Sequence, residues 1–269
     1  AEGVPETVQR GSTFRDLVRR DNIVKQREKF VLRGVLEVEA LQKARHIIGR
    51  TDWDLACVRR VNPKAEYHFC NETLRQPFYQ GAWRYDGCRK HRIFASSCAY
   101  PVKGFHYLLE AFGQIVKTYP DATLAVPGKS FLTASKLRRT NYQKYLADLA
   151  ERYGVEDKIE FLGSLSAEEM KQAFLDANVF VLPSTIENSP NSLGEAMLLG
   201  VPCVAADVGG VTTMLRHGLE GEVYPSTAPY MLAFYVETVF ARREAAEAMG
   251  AAARAHAGVT HDPEKNLAD

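Results

Sequence analysis

Between His91 and Pro225 short apolar runs alternate with amphipathic stretches, and the connections between them are brief. No other feature of the chain constrains its fold as tightly. Such alternation is the mark of a parallel sheet, because parallel strands need crossover helices and those helices cover both faces. Strands are expected at Arg92–Ser96, Ala122–Val126, Lys158–Leu162, Val179–Leu182 and Val201–Ala205. Val179-Phe180-Val181-Leu182 is apolar at every position, as a doubly covered strand must be. Helices are expected at Gly104–Tyr119, Asn141–Tyr153, Ser166–Ala177, Asn191–Leu199 and Val211–His217. Ser166-Ala167-Glu168-Glu169 has capping-box spacing, and Gly154, Gly200 and Gly218 stand where helices stop. The fold class that follows is α/β, a Rossmann-like parallel sheet domain. In such sheets ligands lie at the carboxyl ends of strands, near helix N-termini.

The flanks read differently. Residues 1 to about 20 are polar and read as a loop, and Asn22–Lys43 has helical apolar spacing. Arg45-His46-Ile47-Ile48-Gly49 reads as a buried strand with His46 in the core. Thr51 to Cys88 is aromatic-rich and irregular, a linking segment folded onto the rest. Pro229 to about Ala257 reads as one long helical tract.

Composition removes several function classes. Lys+Arg 34 against Asp+Glu 33 leaves a net charge of +1, with no basic excess for nucleic acid. The cysteines Cys57, Cys70, Cys88, Cys98 and Cys203 are odd in number and lack C-x2-C spacing, the usage of a reducing compartment. No apolar run approaches the length of a spanning helix and no signal peptide is visible, so a cytoplasmic location is expected.

Chemistry is concentrated in two segments. Pro183-Ser-Thr-Ile-Glu-Asn-Ser-Pro-Asn-Ser-Leu-Gly-Glu-Ala-Met-Leu-Leu-Gly200 leaves a buried strand, crosses a turn-rich loop and enters a helix. The loop and first helical turn offer unpaired amides and a positive dipole end, a seat for phosphate. Glu187 stands at the strand's carboxyl end, within reach of a sugar, and Glu195 about a turn into the helix, within reach of ribose hydroxyls. An ordinary loop glutamate and a helix-surface glutamate would share this spacing. Lys103-Gly104 opens the helix after the first strand, where a lysine can meet a diphosphate and glycine allows close backbone approach, although a Lys-Gly at a helix start is more often plain surface.

The Pro183–Gly200 segment, continuing as EAMLLGVPCVAADVGG, resembles the E-x7-E region of glycosyltransferase family 4, retaining enzymes of the GT-B fold. The resemblance runs from about Glu37 to Asn266 and is closer still to a bacterial polysaccharide-type subgroup with GRTDWD and NETLR segments. It implies that Glu187 contacts the donor sugar and Glu195 the ribose, with Ser189–Leu193 backbone reaching sugar and diphosphate. Pro190 replaces a common glycine and has no amide to offer, which moves the expectation to Asn191 and Ser192, with Leu193 also among the donor-binding residues. The resemblance also implies that Lys103 and Gly104 bind the donor phosphates and that Gly163 and Leu165 flank the nucleobase. The family usually places an Arg five or six residues before the lysine. Ser97 and Cys98 stand there instead, and Ser97 is grouped with the donor-binding residues. Arg75 and Arg50 are the candidates to supply the missing cation.

A GT-B enzyme has two Rossmann-like domains, and the resemblance divides this chain accordingly. Residues 1–88 read as a remnant of the acceptor-side domain with the linking segment. Residues 89–225 read as the nucleotide-sugar domain, and residues 226–269 as C-terminal helices. The implied activity is retaining hexosyl transfer from a nucleotide-sugar to a saccharide or lipid-linked acceptor. No cofactor is needed, and peripheral membrane contact would go through the part of the acceptor-side domain that this chain does not include. Asp52-Trp53-Asp54 could suggest a metal, but two carboxylates are a thin ligand set and a capped turn is expected there. His261-Asp262 reads as a turn. A nucleotide-sugar-binding module without activity, a sugar-nucleotide epimerase and a glycosyl phosphorylase are the alternatives.

Overall fold

The computed structural model describes residues 2–135 and 137–268. The chain opens with α1 (Glu6–Arg10), α2 (Phe14–Arg19) and α3 (Ile23–Lys43). There follows a strand–helix–strand unit of β1 (His46–Gly49), α4 (Asp52–Val61) and β2 (Glu66–Phe69), whose strands pair in parallel. After an irregular segment come β3 (Arg92–Phe94), α5 (Phe105–Thr118), β4 (Thr123–Val126), α6 (Asn141–Tyr153) and β5 (Ile159–Phe161). The second half of this unit is α7 (Ala167–Leu175), β6 (Val179–Leu182), α8 (Asn191–Leu199), β7 (Cys203–Asp207), α9 (Val211–Met214) and β8 (Glu222–Pro225). The chain closes with α10 (Pro229–Ala241), α11 (Arg243–Thr260) and α12 (Pro263–Ala268).

The six later strands form one all-parallel sheet in the order β5-β4-β3-β6-β7-β8. The order reverses between β3 and β6, the switch point at which sheets of this kind open a crevice outside the strands' carboxyl ends. Period-two alternation divides the sheet residues between two cores. Ile93, Leu124, Val126, Val179, Val181 and Val204 pack under α5, α6 and α10. Phe94, Ala125, Phe180, Leu182, Cys203 and Ala205 join Phe174, Leu193 and Ala253 on the other face. Phe94, Phe174 and Phe180 meet there with ring centroids 4.8 to 6.2 Å apart, and each such burial contributes about 1.5–3 kcal/mol.

Several expectations are corrected. The first twenty residues are not a loop. They hold α1 and α2, and Asp16 is buried, completing the Thr13 capping box and accepting from the Asn141 amide at 2.9 Å. The segment from Thr51 to Cys88 is not wholly irregular, since α4 starts at a capping box of Thr51 and Asp54. β2 completes that unit, so the expected capped turn at Asp52–Asp54 is the first turn of a helix. In β1 only Gly49 is buried, and His46 is exposed, because among the described residues nothing covers that face of the two-stranded sheet. β8 went unread because Glu222-Val223-Tyr224-Pro225 is mixed and ends in proline, which an edge strand tolerates. The tract after Pro229 breaks at Arg242, whose φ of −125° and ψ of 78° are not helical.

Candidate functional site

The crevice between β3 and β6 is built by backbone fit. After β3 the chain makes a 3-10 turn at Pro101–Lys103, and Gly104 enters α5 at φ 64°. A Cβ on Gly104 would lie 1.7 Å from the Pro183 carbonyl, so only glycine lets this turn seat against the end of β6. The Thr185 amide donates to the Val102 carbonyl at 2.9 Å and locks the two loops together. Lys103 is thereby carried to Glu187, with Nζ 2.6 Å from Oε1. The same oxygen accepts from Ser184 Oγ at 2.7 Å, and the Glu187 side chain is only 13% exposed.

A third loop closes on the second. The Gly210 amide donates to the Glu187 carbonyl at 3.1 Å. Gly209 has φ 51°, and a Cβ there would stand 1.8 Å from that carbonyl oxygen. Asn188 reaches across to the strand–helix–strand unit. Its Oδ1 accepts from Thr51 Oγ1 at 2.7 Å, and its Nδ2 donates to Asp54 Oδ2 at 2.9 Å. Asp54 also accepts from the Tyr67 hydroxyl and the Arg50 amide. Burial alone would raise its carboxyl, but these hydrogen bonds hold it below the usual range, while burial and Asp54 push the Tyr67 phenol up. Asp54 is therefore an anchor between the two sheets.

The sequence-predicted residues fall into three groups. Lys103 and Glu187 meet directly with Gly104 seated against Pro183, and Ser97 lies in the same loop after β3, its Oγ accepting from the Ala99 amide at 3.3 Å. At the start of α8 the amides of Asn191 and Ser192 have no intrahelical acceptor. Leu193 departs from expectation: it is buried, and its amide donates to the Pro190 carbonyl at 2.9 Å, leaving nothing for a ligand. Gly163 and Leu165 lie past β5, two strands from β3, and Gly163 at φ 71° accepts from the Gly128 amide at 2.7 Å.

Glu195 is the largest surprise. Its side chain is 4% exposed, and both oxygens are taken by Arg75, Nε to Oε1 at 2.6 Å and Nη2 to Oε2 at 2.8 Å. Arg75 also stacks on Phe78, 4.7 Å from the ring centroid. Arg50 pairs with Glu72. Both candidate cations thus have carboxylate partners.

Residues 89–256 match the sequence family described as glycosyl transferases group 1. The chain belongs to the glycosyl transferases group 1 family. An uncharacterised glycosyltransferase of Methanocaldococcus jannaschii is 32% identical over 138 residues, 51% of this chain and 32% of the relative. A D-inositol 3-phosphate glycosyltransferase of Geodermatophilus obscurus is 36% identical over 115 residues, 43% of this chain and 25% of the relative. The chain thus spans only about a quarter to a third of these two proteins. Among solved structures, sucrose-phosphate synthase from Thermosynechococcus elongatus superposes with a TM-score of 0.74 at 21% identity, covering 87% of this chain and 58% of the other. The Anabaena HepE protein, solved in complex with UDP-glucose, also gives 0.74, at 20% identity over 86% of this chain and 64% of the other. The fold is the GT-B type, and no described helix is long and apolar enough to cross a membrane.

Within this group 1 domain, sequence reasoning missed Ser184, Asn188, Gly209 and Gly210, and outside it Thr51, all of which shape the crevice. The one available signal was the paired glycine after β7. It also missed His261, read only as a turn. His261 is buried at the start of that turn, its Nδ1 2.8 Å from the Glu72 carbonyl, and a Cβ on Gly194 would strike its Nε2 at 2.7 Å. Burial holds its pKa below the ordinary histidine value.

Proposed function

We propose that this chain carries the donor-binding half of a glycosyltransferase that moves a hexosyl group from a nucleotide-sugar, with retained configuration, to a saccharide or lipid-linked acceptor. The observation that carries the reading is the convergence of Lys103, Glu187 and the start of α8 at the point where the strand order reverses. Glycosyl transfer passes through an oxocarbenium-like state and expels a nucleoside diphosphate, so the protein must meet charge of both signs. Lys103 and the Asn191 and Ser192 amides face the departing diphosphate. Glu187, held in place by Ser184, lies on the sugar side. Ribose hydroxyls need the Glu195 oxygens that Arg75 occupies, so nucleotide binding displaces Arg75, and its guanidinium becomes the cation that Ser97 and Cys98 do not supply. On this reading protein cations and amides stabilise the leaving group without a catalytic metal.

Next to Lys103 a groove of about 480 Å³ is lined by Phe30, Tyr100 and Val102 with Arg27 and Arg33. Its mixture of apolar surface and cations suits an amphiphilic acceptor carrying phosphate. The division of labour between the two glutamates is the test. Glu195→Ala should weaken UDP binding in calorimetry, while Glu187→Ala should spare it and suppress sugar transfer by the protein with its acceptor-side domain. Equal losses of UDP affinity in both variants would defeat the assignment.

A further inference from the structure

The two-stranded sheet carries a cluster that the transferase reading does not use. In the parallel register His46 lies beside Glu66 and Ile48 beside His68. Alternate residues share one face of a strand, so His46, Glu66 and His68 project together. His46 Nδ1 is 3.0 Å from His68 Nε2 and 3.4 Å from Glu66 Oε2, and His68 Nε2 is 3.9 Å from Glu66 Oε1. One ligand atom from each residue can be chosen so that all three lie within 4.8 Å of one another.

We propose that His46, Glu66 and His68 bind a divalent transition metal of the zinc class and so clip β1 to β2. Zinc bonds to imidazole and carboxylate are about 2.1 Å, so tetrahedral ligands stand about 3.4 Å apart. The contacts of 3.4 and 3.9 Å run to different Glu66 oxygens; with one oxygen taken as the ligand the three atoms stay within 4.8 Å, so side-chain rotation alone can bring them to that spacing. Two imidazoles with one carboxylate select Zn²⁺ and its neighbours over Ca²⁺ or Mg²⁺, which prefer oxygen. The cluster faces solvent, which leaves a fourth position for water.

The clip has a physical purpose. Among the described residues β1 and β2 pair only with each other, and the helix between them presents the Thr51 and Asp54 groups that hold Asn188. The metal therefore supports the frame and takes no part in transfer, and the proposal stands whether or not the transferase reading does.

The test uses the 269-residue chain stripped of metal with EDTA, titrated with Zn²⁺ by calorimetry and with Co²⁺ by visible absorption. One saturable site per chain is expected. Ligand orientation by outer-shell groups alone is worth about 10–100-fold in affinity, so His46→Ala and His68→Ala should each weaken binding by at least about tenfold. The Co²⁺ complex should show d–d bands without thiolate charge transfer, which separates this site from Cys57 and Cys70. The three side chains are exposed, and melting curves of the metal-free variants check that they fold. No saturable binding by the wild-type chain, binding that persists in His68→Ala, or a thiolate band would overturn the proposal and leave a hydrogen-bonded trio only.

Discussion

Replacing Lys103 with Met removes one cation from the crevice and keeps most of the side chain's length. In the ligand-free protein Lys103 is paired with Glu187 at 2.6 Å, the lysine side chain 37% exposed and the glutamate 13%. A pair of this exposure contributes no more than about 1 kcal/mol. A charge-assisted hydrogen bond to a diphosphate is worth about 1.5–3 kcal/mol. Lysine must leave Glu187 to make it, so the net contribution to binding is the difference, about 0.5–2 kcal/mol, or roughly two- to thirtyfold in affinity. Calorimetry with UDP and with uridine isolates the effect, because uridine carries the base and ribose without the phosphates. Lys103→Met should raise the UDP Kd by that factor and leave uridine unchanged, with a small loss of thermal stability from the broken pair. A folded variant that binds UDP as tightly as the wild type, or that loses uridine affinity to the same extent, would refute the reasoning.

Three further outcomes are expected. Burial pushes the His106 pKa down to about 4; the unfolded chain takes up that proton near the ordinary histidine value. Stability is therefore intact at neutral pH and is lost as pH falls toward the folded value. Between pH 7 and 5 this linkage costs about 2 kcal/mol, which His106→Gln should remove from the pH dependence of unfolding; an unchanged slope would argue against it. Gly104→Ala forces a Cβ to within 1.7 Å of the Pro183 carbonyl at φ 64°. It should cost on the order of 1–3 kcal/mol or more, visible as a lowered Tm, and an unaltered Tm would show that the two loops are not locked as described. Along α3, Phe30, Val31, Leu32, Val35 and Leu36 are each more than 60% exposed. Such a patch favours association, so light scattering should show concentration-dependent oligomers that Phe30→Glu with Leu36→Glu dissolves; a monodisperse wild-type monomer would contradict this.

The sequence by itself determined the parallel sheet and pointed to the Pro183–Gly200 loop as the candidate site. Continuous apolar runs such as Val179–Leu182, the Ser166 capping box and the helix-ending Gly154 and Gly200 are local signals, and local energetics are sufficient to place them. Lys103 and Glu187 could be singled out for the same reason, since each follows a legible strand and precedes a legible helix. What the tertiary structure decided is which groups meet. Arg75 and Glu195 are 120 positions apart and Thr51 and Asn188 are 137 apart. No periodicity encodes such pairings, which follow from the sheet order and from loops seated on glycines. The same holds for His46. An apolar neighbourhood in sequence marks it as core, yet burial requires a covering element, and the register of β1 with β2 instead gathers it with Glu66 and His68 on an open face. Strand identity is written in single residues and their neighbours, whereas the state of a carboxylate depends on whichever cation the fold brings to it.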